Sequence, residues 1–413
     1  MTRFRHDERE LVELVSLVRP RRGEDAGDEG TEPTDAGFEA VAETFARIAW
    51  TVLAEPGDED AGRLLAAIGP APALDLLLAD ADADAFLAAI RDARSDAPRD
   101  LDTSLRRWRP RLSARSVVRA IEQSARFGVT LAIPADPDWP AGLEDLGPGA
   151  PAALWLRGER VHLAALGRSV AIVGARAATG YGEHVGTGLA ADVAERGLAV
   201  VSGGAYGIDA AAHRGALAAE GLTAAVLAGG LDRMYPSGNE QLFARVLERG
   251  LLLAEVPCGV PPTKIRFLAR NRLLAAIARA VVVVEAGVRS GSLNTAAHAA
   301  QIGRPIGAVP GPVTSPASAG CHRLLREFPA TCVTSADDIV ALIGEAPSRV
   351  NDPFDRPDER IVRVLDALRP RKARGSLEIA RLSGLAETEV LALLGPLELT
   401  GRARRGEAGW TLG

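Results

Sequence analysis

SVAIVG (169–174), LAVVSG (198–203), TAAVLAG (223–229), LLLAE (251–255), AVVVVEA (280–286) and PIGAVP (305–310) are short apolar runs, each followed or preceded by a stretch with helical patterning. Those stretches include YGEHVGTGLAADVAERG, IDAAAHRGALAAEG, NEQLFARVLERG, FLARNRLLAAIARA and LNTAAHAAQIG. A strand that alternates polar and apolar residues has one wet face. Runs that are apolar throughout are buried on both faces, and helices between them supply the cover. The pattern predicts an α/β fold with a Rossmann-like, doubly wound parallel sheet over residues 128–345. Ligands of such sheets bind at the carboxyl ends of the strands, so the loops that follow the runs are where chemistry is expected.

Upstream, residues 38–127 carry helical patterning interrupted by Pro and Gly, which predicts a small helical (SAM-like) domain. Residues 1–37 precede it: a short amphipathic helix with Leu11, Leu14, Val15 and Val18 on one side, then the acidic GEDAGDEGTEPTDAG (23–37), read as a disordered linker. Downstream, residues 346–358 form a second linker. RIVRVLDAL, SLEIARLSG, ETEVLALLGPLELTG and RARRGEAGWTLG then give three helices and a ribbon over 359–413, the order of a winged helix. Its third helix carries Glu387, Glu389 and Glu398, a poor match to phosphate, so DNA binding and a protein-contact or dimer role both stay open.

The chain has 413 residues, 47% hydrophobic and 25% charged, which excludes global disorder. No apolar run reaches the roughly 18 residues of a bilayer span. The start, MTRFRHDERELVELV, lacks the apolar core of a secretion signal. Cys258, Cys321 and Cys332 are odd in number and at no metal-ligand spacing, as in reduced thiols. A soluble cytoplasmic protein with no membrane partner is expected. The net charge is −6, but it is divided: residues 1–150 hold 18 basic and 29 acidic side chains, residues 151–345 hold 18 and 15, and residues 346–413 hold 12 and 10. The mildly basic remainder points to a polyanion partner. Of the 48 basic residues only Lys264 and Lys372 are lysine.

Four loops carry the candidate chemistry. VGARAATGYG (173–182) has Arg176 and Thr179 where a dinucleotide fingerprint starting at Gly174 needs its second and third glycines, which argues against NAD or FAD. An arginine beside a helix N-terminus suits a phosphate instead, the alternative being a surface ion pair. SGGAYGID (202–209) offers Ser202, Gly203 and Gly204 as an amide nest, or a close-packed turn, and Asp209 as a cap. It lacks the ending of a P-loop. KIRFLARNR (264–272) interleaves Lys264, Arg266, Arg270 and Arg272 with Phe267 and Asn271, as single-stranded nucleic acid requires: charge for phosphates and a ring for a base. The spacing matches a first helical turn, and Phe267 is alternatively a core anchor. GVRSGSLNTAAHA (287–299) offers Ser290, Gly291, Ser292 and Thr295 as donors, with Ser292 or Asn294 as a plain N-cap the alternative. No HExxH, GxSxG or CxxC pair occurs, and His213 reads as a structural helix residue rather than a base. No catalytic residue, cofactor or metal is expected. The chain reads as a binder.

GARAATGYG, VVSGGAYGIDAAAH, VLAGGLDRMYP, the RNR of FLARNR, VVVVEAGVRSGSLNTAAHA and AVPGP occur in that order, after the Trp-Pro of DPDWP (136–140). This set closely resembles the DNA-processing protein A family (DprA, also called Smf) over about residues 110–345. The resemblance implies a Rossmann-like core that dimerises and binds single-stranded DNA without marked sequence preference, in proteins that load a RecA-type recombinase onto incoming DNA during natural transformation. It carries phosphate binding onto Gly174, Arg176, Ser202, Gly203, Gly204, Lys264, Arg270, Asn271 and Arg272, with Ser290–Gly291–Ser292 in the same pocket. Phe267 matches the aromatic of the family's FPxRNR motif, although Leu268 and Ala269 depart from it. The rival reading is a lysine-decarboxylase-like phosphoribohydrolase that cleaves nucleoside monophosphates. Such enzymes carry PGGxGTxxE; here SGSLNTAAHA puts Ala297 and His298 around the expected glutamate. On the DNA reading each lost cation lowers the salt slope by about 0.7, and a dimer adds avidity.

Overall fold

The six apolar runs become strands, and three more join them. In chain order these are β1 (Thr130–Ala132), β2 (Leu154–Gly158), β3 (Ser169–Val173), β4 (Ala199–Ser202), β5 (Thr223–Leu227), β6 (Leu251–Ala254), β7 (Ala280–Val283), β8 (Ile306–Ala308) and β9 (Ala330–Cys332). This computed structural model describes residues 7–20, 35–92, 98–346, 358–370, 372–406 and 408–413. Most of the acidic stretch 23–37 and of the linker 346–358 lies outside the described residues.

The sheet order is β1-β2-β6-β5-β4-β3-β7-β8-β9. Strands β6 through β9 in that order are mutually parallel, whereas β2 runs antiparallel to β6 and β1 antiparallel to β2. From β3 the chain steps outward through β4, β5 and β6, then returns to the other side of β3 as β7. The strand order therefore reverses between β3 and β7, and that reversal opens a crevice beyond their carboxyl ends.

Alternate residues of these strands feed different cores. Val170 and Ile172 of β3 pack with Leu189, Val193 and Ala212 on one face. Ala171 and Val173 pack with Leu273, Leu274 and Ala299 on the other. Both faces are dry, which is why the strand sequences show no alternation. The upstream helices, from Asp35–Leu53 to Ala114–Arg126, share a third core with Trp155 of β2 and Phe243. Trp50 and Trp108 meet edge to face there, with centroids 5.2 Å apart, and the Trp50 indole N–H donates to Pro70 O at 3.1 Å. The amphipathic segment forms the helix Glu8–Ser16 with a capping box between Asp7 and Glu10, and it buries Leu11 and Val15.

The described residues up to 346 form one compact unit and those from 358 another. The second unit has helices Glu359–Ala367, Ser376–Ser383 and Glu387–Leu399, then an antiparallel ribbon of β10 (Ala403–Gly406) and β11 (Gly409–Leu412). Its own core gathers Val364, Ile379, Val390, Leu394 and Trp410. Gly409 turns the ribbon at φ 123°, and a Cβ there would run into the carbonyl of Arg374, so a side chain is excluded twice over. No single helix among the described residues is long and apolar enough to cross a membrane.

Candidate nucleic-acid interface

The loop after β3 is fixed by its neighbours. A Cβ on Gly174 would lie 2.5 Å from Ile208 and 2.9 Å from Glu285 O, so only glycine lets three loops meet there. The Ala175 N–H donates to Glu285 O at 2.7 Å, and Ala175 O accepts from the Ile208 N–H at 3.2 Å. The buried Glu285 carboxylate accepts from the Thr179 amide and hydroxyl, both at 2.8 Å. Thr179 in turn caps the helix Gly180–Glu195. Residues 176 and 177 are thereby held across the crevice mouth, and their amides have no acceptor among the described residues.

The crevice is a cleft of about 520 Å³. Phe267 sits in its wall, on the helix Lys264–Ile277, with the guanidinium of Arg176 4.9 Å from its ring centroid and that of Arg270 5.9 Å away. Arg176 is exposed; Arg270 is 6% exposed. Arg270 donates to Val226 O and, through Nε, to Asn271 Oδ1 at 3.2 Å. It has no carboxylate within ion-pair distance among the described residues. Asp209, also buried, is the acid that acts on it across Gly203. Burial pushes the Arg270 pKa down, and Arg176 adds to this while Asp209 opposes it. Burial pushes the Asp209 carboxyl up, offset by Arg270 and by the amides of Ala205 and Gly174. A buried cation without a matched anion is an expensive arrangement. Here it is a standing demand for an anion in the cleft.

Arg272, also buried, and the part-buried Arg160 show the contrast. Arg272 reaches both Glu255 oxygens at 2.6 and 2.7 Å and Gly149 O at 2.8 Å. Arg160 pairs with Asp136 and Asp138 at 2.6 and 2.9 Å.

The far wall is the loop after β7. Asn271 donates to Gly291 O at 3.3 Å and to Asn294 Oδ1 at 3.2 Å, which ties that loop to the Arg270 helix. The helix Ser292–Gln301 begins after Gly291 with no side-chain cap, so neither Ser292 nor Asn294 is its N-cap. The Ser290 and Ser292 hydroxyls bond each other at 2.8 Å, and the Ser290 and Ser292 amides have acceptors within the loop. The Gly291 amide has none among the described residues.

Of the residues expected at the site, the structure brings Gly174, Arg176, Phe267, Arg270, Asn271, Ser290, Gly291 and Ser292 together around this cleft. Five others do not line it. Ser202 spends its hydroxyl on Ile172 O at 2.6 Å. Gly203 is pinned by its carbonyl to His213 at 2.8 Å, and a Cβ on it would strike Asp209 and Arg270. Gly204 packs on Leu227 and Phe243. The 202–204 segment is thus a buried, close-packed turn behind Arg270. Arg272 holds Glu255. Lys264 is the exposed first residue of its helix, so Arg270 falls in the second turn rather than the first.

The cleft also takes residues that pattern reading assigned no such role. Arg289 lines it, and its signal was a cation in the loop directly after a central strand. Asp209, read as a cap, is the one acidic residue in the lining. His213 is fully buried with both ring nitrogens bonded, to Thr223 Oγ1 at 2.7 Å and Gly203 O at 2.8 Å, as a structural residue should be. Among the described residues no group of His, Cys, Asp or Glu is placed to hold a metal ion.

Residues 130–344 match the family model of DNA recombination-mediator protein A. A Mycobacterium tuberculosis protein that carries the name DNA processing protein DprA is 48% identical over 308 residues, covering 71% of this chain and 79% of its own. The Smf protein of Escherichia coli is 36% identical over 265 residues, covering 61% and 69%. The X-ray structure of DprA from Streptococcus pneumoniae superposes with a TM-score of 0.57 at 30% identity, covering 73% of this chain and 97% of that one. A family match over residues 130–344, a relative 48% identical over 71% of the chain and a shared fold place this chain in the DNA recombination-mediator protein A (DprA/Smf) family.

Proposed function

We propose that the cleft between β3 and β7 binds single-stranded DNA, phosphates toward Arg176, Arg270 and Arg289 and one base against Phe267. The observation that carries this reading is Arg270: a buried guanidinium with no carboxylate partner among the described residues, beside a half-buried aromatic and a second cation. A base on the ring and a phosphate at the guanidinium satisfy both at once. The free amides of Arg176, Ala177 and Gly291 add donors at the same mouth. Duplex DNA keeps its base faces stacked inside the helix and cannot offer one to Phe267.

We read the cleft as a binding site: its lining holds three arginines, Arg176, Arg270 and Arg289, against one carboxylate, Asp209. Within this reading the protein acts in the cytoplasm as a homodimer that protects incoming single strands and hands them to a RecA-type recombinase. The second unit, with three helices and a ribbon bearing Arg404 and Arg405, serves as a winged-helix accessory.

The test is fluorescence anisotropy of labelled oligo-dT and matched duplex, titrated at several salt concentrations. The wild type should prefer the single strand. Arg176→Ala and Arg270→Gln should each weaken dT binding and reduce the log–log salt slope by about 0.7. Equal affinity for duplex, or unchanged slopes in both variants, would overturn the reading.

A further inference from the structure

The cleft accounts for one base, yet a single strand entering it must leave across its rim. Aromatic residues are scarce in this chain, at 4%, and its five tryptophans are buried. Tyr235 and Tyr206 are nevertheless 53% and 48% exposed. Tyr235 continues the row begun by Arg176 and Phe267: its ring centroid is 5.8 Å from that of Phe267, at 57°. Tyr206 has its hydroxyl end against Gly238, three residues after Tyr235.

Both rings stand on fixed backbone. Asn239 donates to Gly204 O and Ala205 O at 3.0 and 3.1 Å, joining the two loops, and its own amide bonds Pro236 O at 3.0 Å. Neither tyrosine hydroxyl has a partner among the described residues, whereas that of Tyr181 is bonded to Pro310 O at 2.6 Å. Arg233, two residues before Tyr235, is exposed and without an ion pair among the described residues.

We propose that Tyr235 and Tyr206 form a second stacking platform, on which bases of the strand leaving the Phe267 cleft lie in succession, with Arg233 as the accompanying cation. The inference rests on the single-strand reading above. The 57° tilt matters: Phe267 and Tyr235 do not stack on one another, so each keeps a face for a different base. Rings held on a bonded turn lose little freedom on binding, and stacking accepts any base.

The experiment measures anisotropy of dT2 and dT6 against the full chain, the double variant Tyr206→Leu/Tyr235→Leu and the double variant Tyr206→Phe/Tyr235→Phe, at several salt concentrations. The leucine pair should weaken dT6 about tenfold, leave dT2 unchanged and keep the salt slope. The phenylalanine pair should bind as the wild type. If the leucine pair binds dT6 like the wild type, the platform is overturned and its rings serve another partner, while the cleft reading stands. If it weakens dT2 and dT6 alike, the rings act through the cleft and the platform is overturned too. A wild-type chain that binds neither oligomer removes both readings together.

Discussion

Arg270 and Arg272 lie two residues apart in one helix, each 6% exposed, and they live in opposite electrostatic worlds. Two residues on an α-helix turn the side chain by about 200°, so one arginine enters the cleft and the other leaves by the back. Arg272 finds both oxygens of Glu255 and the carbonyl of Gly149. Arg270 finds a carbonyl, an amide oxygen and an aromatic ring. The same residue type at the same burial is a closed ion pair where its charge is matched and a candidate anion site where it is not. What distinguishes the two faces is the location of carboxylates, and no single residue's identity reports it.

The sharpest way to break this comparison is to remove the matched arginine. Arg272→Ala leaves Glu255 uncompensated and should cost about 3–5 kcal/mol of stability, read as a fall in the urea midpoint. The dT affinity of the protein that remains folded should not change. A loss of affinity with stability intact would move Arg272 back among the DNA-binding residues.

The next effect concerns what stands behind Arg270. Gly203 O can only accept, so His213 Nε2 carries a proton, and in the neutral ring Nδ1 is an acceptor 2.7 Å from the Thr223 hydroxyl, whose single proton is shared with Val200 O at 2.8 Å. Burial lowers the His213 pKa to about 4, with Arg270 and Arg214 adding to the shift and the Gly203 bond opposing it. A folded pKa below the unfolded 6.5 means the contribution is complete above pH 6.5 and is lost as pH falls toward 4. Over that interval the wild type should lose roughly 3 kcal/mol relative to His213→Gln. Asp209, whose raised pKa works in the opposite direction, is common to both proteins and cancels in the difference. Parallel stability–pH curves would show that the ring does not stay neutral, and hence that Arg270 is not held against a neutral backing.

Sequence reading reached the central sheet because β3 to β8 are dry on both faces and therefore uniformly apolar. It missed β1, β2 and β9, which lie at or near the sheet edges. β1 and β9 are three residues long, and the ATC of β9 carries little apolar signal. At the site, the four loops it named all contribute to the cleft lining, and five of the residues it expected to bind DNA lie outside that lining. In KIRFLARNR the string of cations is visible, but the partners that divide it are distant: Glu55 takes Arg266 and Glu255 takes Arg272. In SGG the glycines read either as open amides or as a close-packed turn, and Asp209, Arg270, Leu227 and Phe243 crowd the places their Cβ atoms would take, as in the turn. A glycine needed for close packing and one needed for a phosphate look alike in one dimension.

The smallest effect sharpens the comparison at Phe267, which sequence left between core anchor and base platform. The ring is half-buried with two guanidinium groups near it, and Leu268 beside it is 44% exposed. Phe267→Leu keeps an apolar side chain while removing the flat face. If the ring is a platform, dT affinity should fall about five- to tenfold, near 1 kcal/mol, with the salt slope unchanged because no cation is lost, and with a small change in urea midpoint. If it is an anchor, the midpoint falls and affinity per folded molecule holds. A reduced slope would mean that the ring acts by positioning Arg176, whose interaction with it contributes about 0.5–1 kcal/mol at so exposed a site. Arg270, bonded to Val226 O and Asn271, should keep its place in every case, because its position comes from the helix and not from the ring.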